Sequence, residues 1–298
     1  MTDIPYVFIL DWDGTICGDV RFQAQYASIV HTLKKYKIKP NLQYNIPPAF
    51  GQHSKLIRPG FGEWVKAMQE MYKEVYFFIY TASEKSWANQ EIAWVEKLHH
   101  IRFARPIFTR DDCYTDSSNG NNSTRKSLGK IFPRVITSIV RERGSKSPLS
   151  MSQRKAILEN HLVVIDNNAV YNDRADKLLL CPDYSYTVFE NLLSLIPKDV
   201  RKEPLVQQLI YGLINTGYIC KLPDEKEDGM SALSNQYAWL ASKCKSLHDQ
   251  NKAFTHDDFW KFLRKIIVTN KIYTFTPSII KQLQDASWKH SKSIRESK

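Results

Sequence analysis

Three short apolar runs along the chain each end on a polar residue able to do chemistry. Tyr6-Val7-Phe8-Ile9-Leu10 ends at Asp11, the run from Val75 to Tyr80 ends at Thr81, and the run from His161 to Ile165 ends at Asp166. Each is rich in β-branched and aromatic residues and shows no alternation, which predicts strands buried on both faces. A fourth run, Lys177-Leu178-Leu179-Leu180-Cys181, is a further strand candidate. Between the runs the spacing turns helical. Phe61, Trp64, Val65, Met68 and Met71 share one helix face, and Trp87, Ile92, Trp94, Val95 and Leu98 do so less cleanly across Ser86–Leu98. Strands alternating with helices predict an α/β fold around a parallel sheet, whose ligands bind beyond the carboxyl ends of the strands. Asp11, Thr81 and Asp166 then converge on one crevice.

Two regions fall outside that pattern. Asp116 to Ser123 is a Ser/Asn-rich stretch of loop composition. From Arg125 to Lys155 the chain is strongly basic, with Glu142 as its only acid. The whole of residues 114–160 reads as a basic insertion. Pro197 and Pro204 place a boundary between a domain at 1–196 and a helical C-terminal region at 197–298. In that region Phe259–Ile267 is amphipathic, and Thr255, followed by His256, Asp257 and Asp258, is read as its cap. The apolar row Phe259, Phe262, Leu263 and Ile266 predicts that this helix docks on the rest of the chain.

Composition narrows the classes. With 298 residues, 43% of them hydrophobic and 12% aromatic, the chain can bury a sizeable core and is not wholesale disordered. No apolar run approaches the ~20 residues of a transmembrane helix. A secretory leader is not expected either, because Asp3 comes early and Tyr6–Leu10 is too short for its apolar core. Five widely spaced cysteines, with no CxxC pair, predict free thiols in a reducing, intracellular compartment and no zinc site. A net charge of +11 suits a polyanionic partner or a phosphorylated substrate, or reflects only a basic surface.

Asp11-Trp12-Asp13-Gly14-Thr15 is the most specific feature. Two carboxylates so close behind a buried strand are costly unless their charge is balanced. A hard cation such as Mg²⁺ would balance it, leaving one carboxylate to attack phosphorus and the other to handle protons. The plainer reading is a turn in which Asp11 caps and Gly14 supplies conformational freedom. Thr81 offers a hydroxyl and an N–H to a phosphate oxygen, or else caps the helix after it together with Ser83. Lys126 supplies a compact positive charge or is one more solvated lysine, and Asn167 adds neutral oxygen ligation. His99 and His100 are read as surface residues.

Asp-x-Asp-x-Thr after a hydrophobic strand resembles the first motif of the haloacid dehalogenase (HAD) superfamily of phosphohydrolases. The resemblance implies a HAD-like Rossmannoid sheet, with Asp11 as nucleophile and Mg²⁺ ligand, Asp13 as general acid/base and carbonyl ligand, and Thr15 in support. Arg58-Pro59-Gly60, Tyr80-Thr81-Ala82-Ser83, Phe108-Thr109-Arg110-Asp111-Asp112-Cys113, Lys126-Ser127-Leu128 and Asp166-Asn167-Asn168 are similar, in order, to motifs of the CTD-phosphatase-like (NLI-interacting-factor-like) branch. That branch implies phosphate or substrate binding by Thr81, Arg110 and Lys126, an aromatic groove wall at Trp87, metal ligation by Asn167, and Asp166 holding the lysine. Residues 5–196 are covered.

Two departures stand out. The stretch between Lys126 and Asp166 is longer than the branch's pattern, which keeps Lys130 and Lys155 as substitutes. The segment Cys17–Ile57 is too short and polar to seal the crevice, which favours a macromolecular substrate. The resemblance implies a phosphoprotein serine/threonine phosphatase acting on the RNA polymerase II C-terminal repeat or a similar target, in the nucleus or at a viral transcription site. A nucleic-acid 3′-end phosphatase, with the basic insertion on the strand, is the alternative. A binding scaffold is the third reading, set against by the presence of both Asp11 and Asp13 and of no membrane span.

Overall fold

The computed structural model describes residues 4–18, 29–31, 33–40, 50–51, 54–116, 123–144, 148–187, 195–204, 206–207, 210, 249 and 251–296. The chain forms two compact units. One comprises Met1–Gly18, Ile57–Tyr184 and His256–Lys298, and the other Asp19–Leu56 and Ser185–Thr255. The units do not divide at residue 197, because the last helices belong with the sheet. In the second unit, the Asn251 side chain pairs with both backbone groups of Thr187.

The first unit is an α/β fold on a four-stranded parallel sheet in the order β2-β1-β5-β6. The strands are β1 (Tyr6–Leu10), β2 (Val75–Ile79), β5 (Leu162–Asp166) and β6 (Leu178–Leu180). All four apolar runs are therefore strands. A two-stranded antiparallel arm, β3 (Tyr114–Asp116) and β4 (Ser123–Arg125), stands apart. The polar stretch between its strands, at 117–122, lies outside the described residues. Because β1 has β2 on one side and β5 on the other, the chain reverses its winding direction beside Asp11. In such sheets that is where ligands bind.

Successive β1 side chains point to opposite faces and meet different partners. Phe8 meets Trp64 of α1 (Phe61–Met71) at 5.1 Å between ring centroids. Val7 and Ile9 join Leu128, Ile131, Val135 and Ile139 of α3 (Leu128–Glu142) in one buried cluster. The expected helix Ser86–Leu98 is α2 (Lys85–His99), with His100 as its left-handed C-cap.

The basic stretch is thus a core helix with a charged outer face rather than a surface insertion. After it come the short α4 (Met151–Ala156) and a π turn at Ile157–His161 that leads into β5. This helical crossover is why Lys126 and Asp166 lie so far apart in sequence. Several of its charges have internal partners. Arg134 pairs with Asp112 and Arg143 with Glu74, while the Lys130 ammonium donates to the Cys113 carbonyl at 3.0 Å.

At the other end of the chain, α5 (Phe259–Thr269) buries Phe259, Trp260, Leu263 and Ile267. Trp260 packs on Trp64 at 4.7 Å and on Phe61 at 5.1 Å, so the helix docks, with Trp260 and Ile267 buried in place of the expected Phe262 and Ile266. Thr255 does not cap this helix, since its hydroxyl turns back to the Asn251 carbonyl. Asp258 holds the N-cap position without a side-chain cap, while Asp257 pairs with Arg58 and also accepts the Phe259 N–H at 3.4 Å. The last helix, α6 (Pro277–Glu296), covers the edge of β6. Gln284 accepts the Leu180 N–H, and Trp288 donates its indole N–H to the Leu180 carbonyl, which occupies an edge that would otherwise be open to another strand. Among the described residues no helix is long and apolar enough to cross a membrane.

Candidate active site

The carboxyl ends of β1, β2 and β5 bring Asp11, Thr81 and Asp166 together, as the apolar runs predict. Asp11 continues β1 by donating its N–H to the Ile165 carbonyl at 2.9 Å. The loop then turns back, with the Ile16 and Cys17 N–H groups both on the Trp12 carbonyl. Trp12 points into the core and donates to the buried Glu91 at 2.7 Å, while Asp11 and Asp13 on either side face the crevice. Gly14 is at φ +76°, and a Cβ there would meet the Asn167 amide and lie 2.6 Å from Asp183 Oδ1. Both the left-handed backbone and the close approach require glycine.

Lys126 is buried and joins two of the acids. Its ammonium donates to Asp11 Oδ1 at 2.6 Å and to Asp166 Oδ2 at 2.8 Å. Its backbone is fixed between Val170 and Asn172, and α3 begins two residues later with Ser127 as N-cap. Asp173 accepts the Leu128 and Gly129 N–H groups at that helix start, an arrangement the dipole favours. Neither substitute lysine joins the cluster: Lys130 is exposed and serves Cys113, and Lys155 is exposed on α4.

Thr81 and Ser83 do not cap α2, whose N-cap position is Glu84 with no side-chain bond. Their hydroxyls instead hold Asp13. Thr81 Oγ1 donates to Asp13 Oδ2 at 3.1 Å and Ser83 Oγ donates to the same oxygen at 2.5 Å. Arg110 is fastened to the same turn, with its Nε on the Ala82 carbonyl at 2.8 Å and its guanidinium 3.5 Å from Glu84, both side chains exposed. Trp87 lies on α2 with 36% of its surface exposed, so it is not a core tryptophan.

Thr15 links the remaining pieces. Its hydroxyl lies 3.4 Å from Asp11 Oδ2 and 3.3 Å from Asn167 Oδ1, with one proton to serve both, and it accepts the Asn167 N–H at 3.0 Å. Asp166 also accepts the Asn168 N–H. Sequence reasoning missed Asp183, which takes the Asn167 Nδ2–H at 2.6 Å and so turns the amide oxygen toward Thr15. The available signal was its place just past the fourth apolar run, a strand-end position like that of Asp11. Ser83 was read only as a cap, because its partner Asp13 is remote in sequence.

The charges are unequal. Burial pushes the Asp11 carboxyl up to about 8, with Lys126 pulling it down and Asp166 and Asp13 pushing it up. Burial alone would lower Lys126, but Asp11 and Asp166 more than reverse this and hold it charged. One ammonium thus faces three acids in a poorly solvated place. Among the described residues no group of three or more acid, His or Cys side chains forms a metal cage. What the crevice offers is oxygen: Asp11 Oδ2 and Asn167 Oδ1 share one weakly donating hydroxyl. Such a sparse set fits Mg²⁺, which keeps several waters and takes substrate phosphate as a ligand.

Cys17 and Cys181 are buried free thiols and Cys113 is a free thiol at intermediate depth. Burial raises the Cys181 thiol to about 12, so it is inert packing beside Thr15. Cys220 and Cys244 lie outside the described residues. Most of Cys17–Ile57 does too, and the expectation of an unsealed crevice falls on it.

A parallel α/β sheet with acids at the end of β1, a hydroxyl at the end of β2 and an acid-held lysine gathers in one crevice the groups that suit phosphoryl chemistry. Residues 6–199 match the NLI interacting factor-like phosphatase family, and the chain belongs to it. Two solved structures are similar to this chain. One is the fission yeast RNA polymerase II CTD phosphatase Fcp1, as a variant bound to beryllium fluoride. It is 14% identical, with 98% of this chain and 66% of that one covered and a TM-score of 0.33. The other is Fcp1, described as an essential RNA polymerase II CTD phosphatase. It is 16% identical, with 93% and 70% covered and a TM-score of 0.34. The chain thus spans slightly under two thirds of the first, and scores this low carry no geometric detail across. No curated protein matches the chain significantly.

Proposed function

We propose that this protein is a Mg²⁺-dependent phosphoprotein phosphatase for phosphoserine or phosphothreonine that works through an aspartyl-phosphate on Asp11. The observation that carries the reading is the buried Asp11–Lys126–Asp166 chain beside Asp13, which Thr81 and Ser83 hold. In the first half-reaction an Asp11 oxygen bonds to phosphorus as the bond to the serine or threonine oxygen breaks. Asp13 gives that departing oxygen its proton. In the second, Asp13 takes a proton from water, the water oxygen bonds to phosphorus, and the Asp11–phosphorus bond breaks to release phosphate.

Lys126 has three donors, two of them on Asp11 and Asp166, and its charge stabilises the transferring group. Thr81 offers its hydroxyl to a phosphoryl oxygen, its N–H being held instead by the Phe108 carbonyl at 3.0 Å, and Arg110 takes another oxygen from the rim. Trp87 supplies an exposed aromatic wall for the peptide. Asp11, the Asp13 carbonyl and Asn167 would hold Mg²⁺, which offsets the negative charge of carboxylate and phosphoryl oxygens when bound. An RNA polymerase II C-terminal repeat is the proposed type of substrate, by analogy with what the similar solved proteins are named for.

The test is Mg²⁺-dependent phosphate release from an aryl phosphate, lost on Asp11→Asn and on Asp13→Asn. Wild-type turnover in both variants would refute the mechanism. A phosphoserine repeat peptide compared with a 3′-phosphorylated oligonucleotide then fixes the substrate class, and preference for the oligonucleotide would overturn the phosphoprotein reading.

A further inference from the structure

A second concave surface of the sheet-bearing unit has no part in the acid–lysine cluster. It encloses about 960 Å³ between α1, α5 and the turn that follows α5. Its floor includes Met71, Phe262, Val268 and Tyr273, with Val268 45% and Tyr273 50% exposed. Apolar side chains left open in a concave place mark an interaction site more often than scattered surface residues do. Its rim carries Lys261, Arg264, Lys265 and Lys271, none of which forms an ion pair among the described residues. Two acids, Glu70 and Asp258, stand against the four cations, and Asp258 is already engaged by His290 at 3.0 Å.

The groove is preformed. The Tyr6 hydroxyl donates to the Tyr273 carbonyl and the Tyr72 hydroxyl to the Ile272 carbonyl, which fixes the turn. Little ordering is left for a ligand to supply.

We propose that this groove docks an acidic peptide segment, with its apolar side chains on the Val268–Tyr273 floor and its carboxylates on the four cations. A second copy of a chain carrying +11 is repelled by the same rim. Single-stranded nucleic acid needs open aromatic faces for its bases. Of the two phenyl rings in the lining, Phe262 is covered by His290, stacked at 3.8 Å, which leaves Tyr273 alone to take a base. Most of the lining lies beyond residue 199, where the family match ends. The inference does not depend on the phosphatase reading.

The experiment is fluorescence anisotropy of the full chain with a short labelled peptide in which Glu alternates with Leu and Phe. Binding is expected to weaken about tenfold between low and moderate salt and about tenfold in Lys265→Glu/Lys271→Glu. Val268→Ser, which leaves the charges alone, is expected to weaken it about fivefold. Asp11→Asn is expected to bind as wild type, which separates this surface from the active site. Four results would overturn the proposal: no binding, equal binding of the Gln-for-Glu peptide, unchanged binding in the double variant, or loss of binding in Asp11→Asn. So would a single-stranded oligonucleotide that binds more tightly than the peptide and is lost in the double variant.

Discussion

Asp257→Ala removes the carboxylate from a buried ion pair and leaves its partner behind. Arg58 has no exposed side-chain surface, and its guanidinium meets Asp257 through two bonds of 2.8 Å, while Nη1 donates to the Pro182 carbonyl at 2.8 Å. Burial works against the charge on Arg58, and Asp257 more than reverses it. After the substitution the cation keeps the Pro182 carbonyl and the faces of Tyr184 and Phe259, all weaker partners than a carboxylate. Orphaning one member of a buried pair costs about 3–5 kcal/mol. With a urea slope of about 3 kcal/mol/M, the midpoint should fall by about 1–1.7 M at unchanged slope. Replacing both partners, as Arg58→Met/Asp257→Leu, removes the buried charge altogether and should cost only about 1 kcal/mol, for the Pro182 carbonyl left unpaired. Urea unfolding followed by near-UV circular dichroism reads both. A fall of less than about 0.3 M in Asp257→Ala, or a double variant as unstable as the single one, would refute the reasoning.

Other perturbations probe the crevice. Asp183→Ala frees the Asn167 amide to rotate and should weaken Mg²⁺ binding about tenfold in a calorimetric titration. Thr81→Val, lacking a donor to the phosphoryl group, should lower kcat/KM about 100-fold. Ser83→Ala leaves Asp13 with one hydroxyl fewer and should lower kcat about tenfold with KM unchanged. Lys126→Met leaves Asp11 and Asp166 buried without their cation and should cost about 3–5 kcal/mol. Adding Asp11→Asn should recover part of that in thermal unfolding, and a further loss would show that charge repulsion is not the cause.

The sheet was legible because each of its strands reads as an uninterrupted apolar run, with polar residues at the ends that topology then gathers. Lys126 was less legible, since its neighbours in sequence are other cations. Only the burial that α3 provides separates it from Lys130, four residues on and exposed. Periodicity in that basic stretch was masked by its charge. Ile131, Val135 and Ile139 carry a core face that composition alone reads as an insertion. Asp183 and Ser83 act through partners remote in sequence, Asn167 and Asp13, so no local pattern announces them. The expected cap at Thr255 failed because its hydroxyl finds an acceptor one turn back, in the Asn251 carbonyl, while Asp257 serves both the Phe259 N–H and a buried arginine far away in sequence.

The boundary suggested by the two prolines, close to where the family match ends, is therefore not a boundary in the packing. Arg58 is buried, and its carboxylate comes from Asp257. The buried ammonium of Lys177 has the Glu159 and Phe275 carbonyls as its acceptors, and burial lowers its pKa. The edge of β6 finds its donor and its acceptor in Trp288 and Gln284, and the outer face of α1 finds Trp260. Each of these groups would be left unsatisfied or exposed by a chain cut at residue 199, and the penalties fall on β6, the Pro182 carbonyl and the loop that carries Asp183. That loop orients Asn167 and lies against Gly14. The C-terminal helices thus reach the proposed metal-binding side of the crevice through two steps of hydrogen bonding, Asp257 to Arg58 and Arg58 to Pro182. Losing them should cost the site its geometry before it costs the sheet its fold.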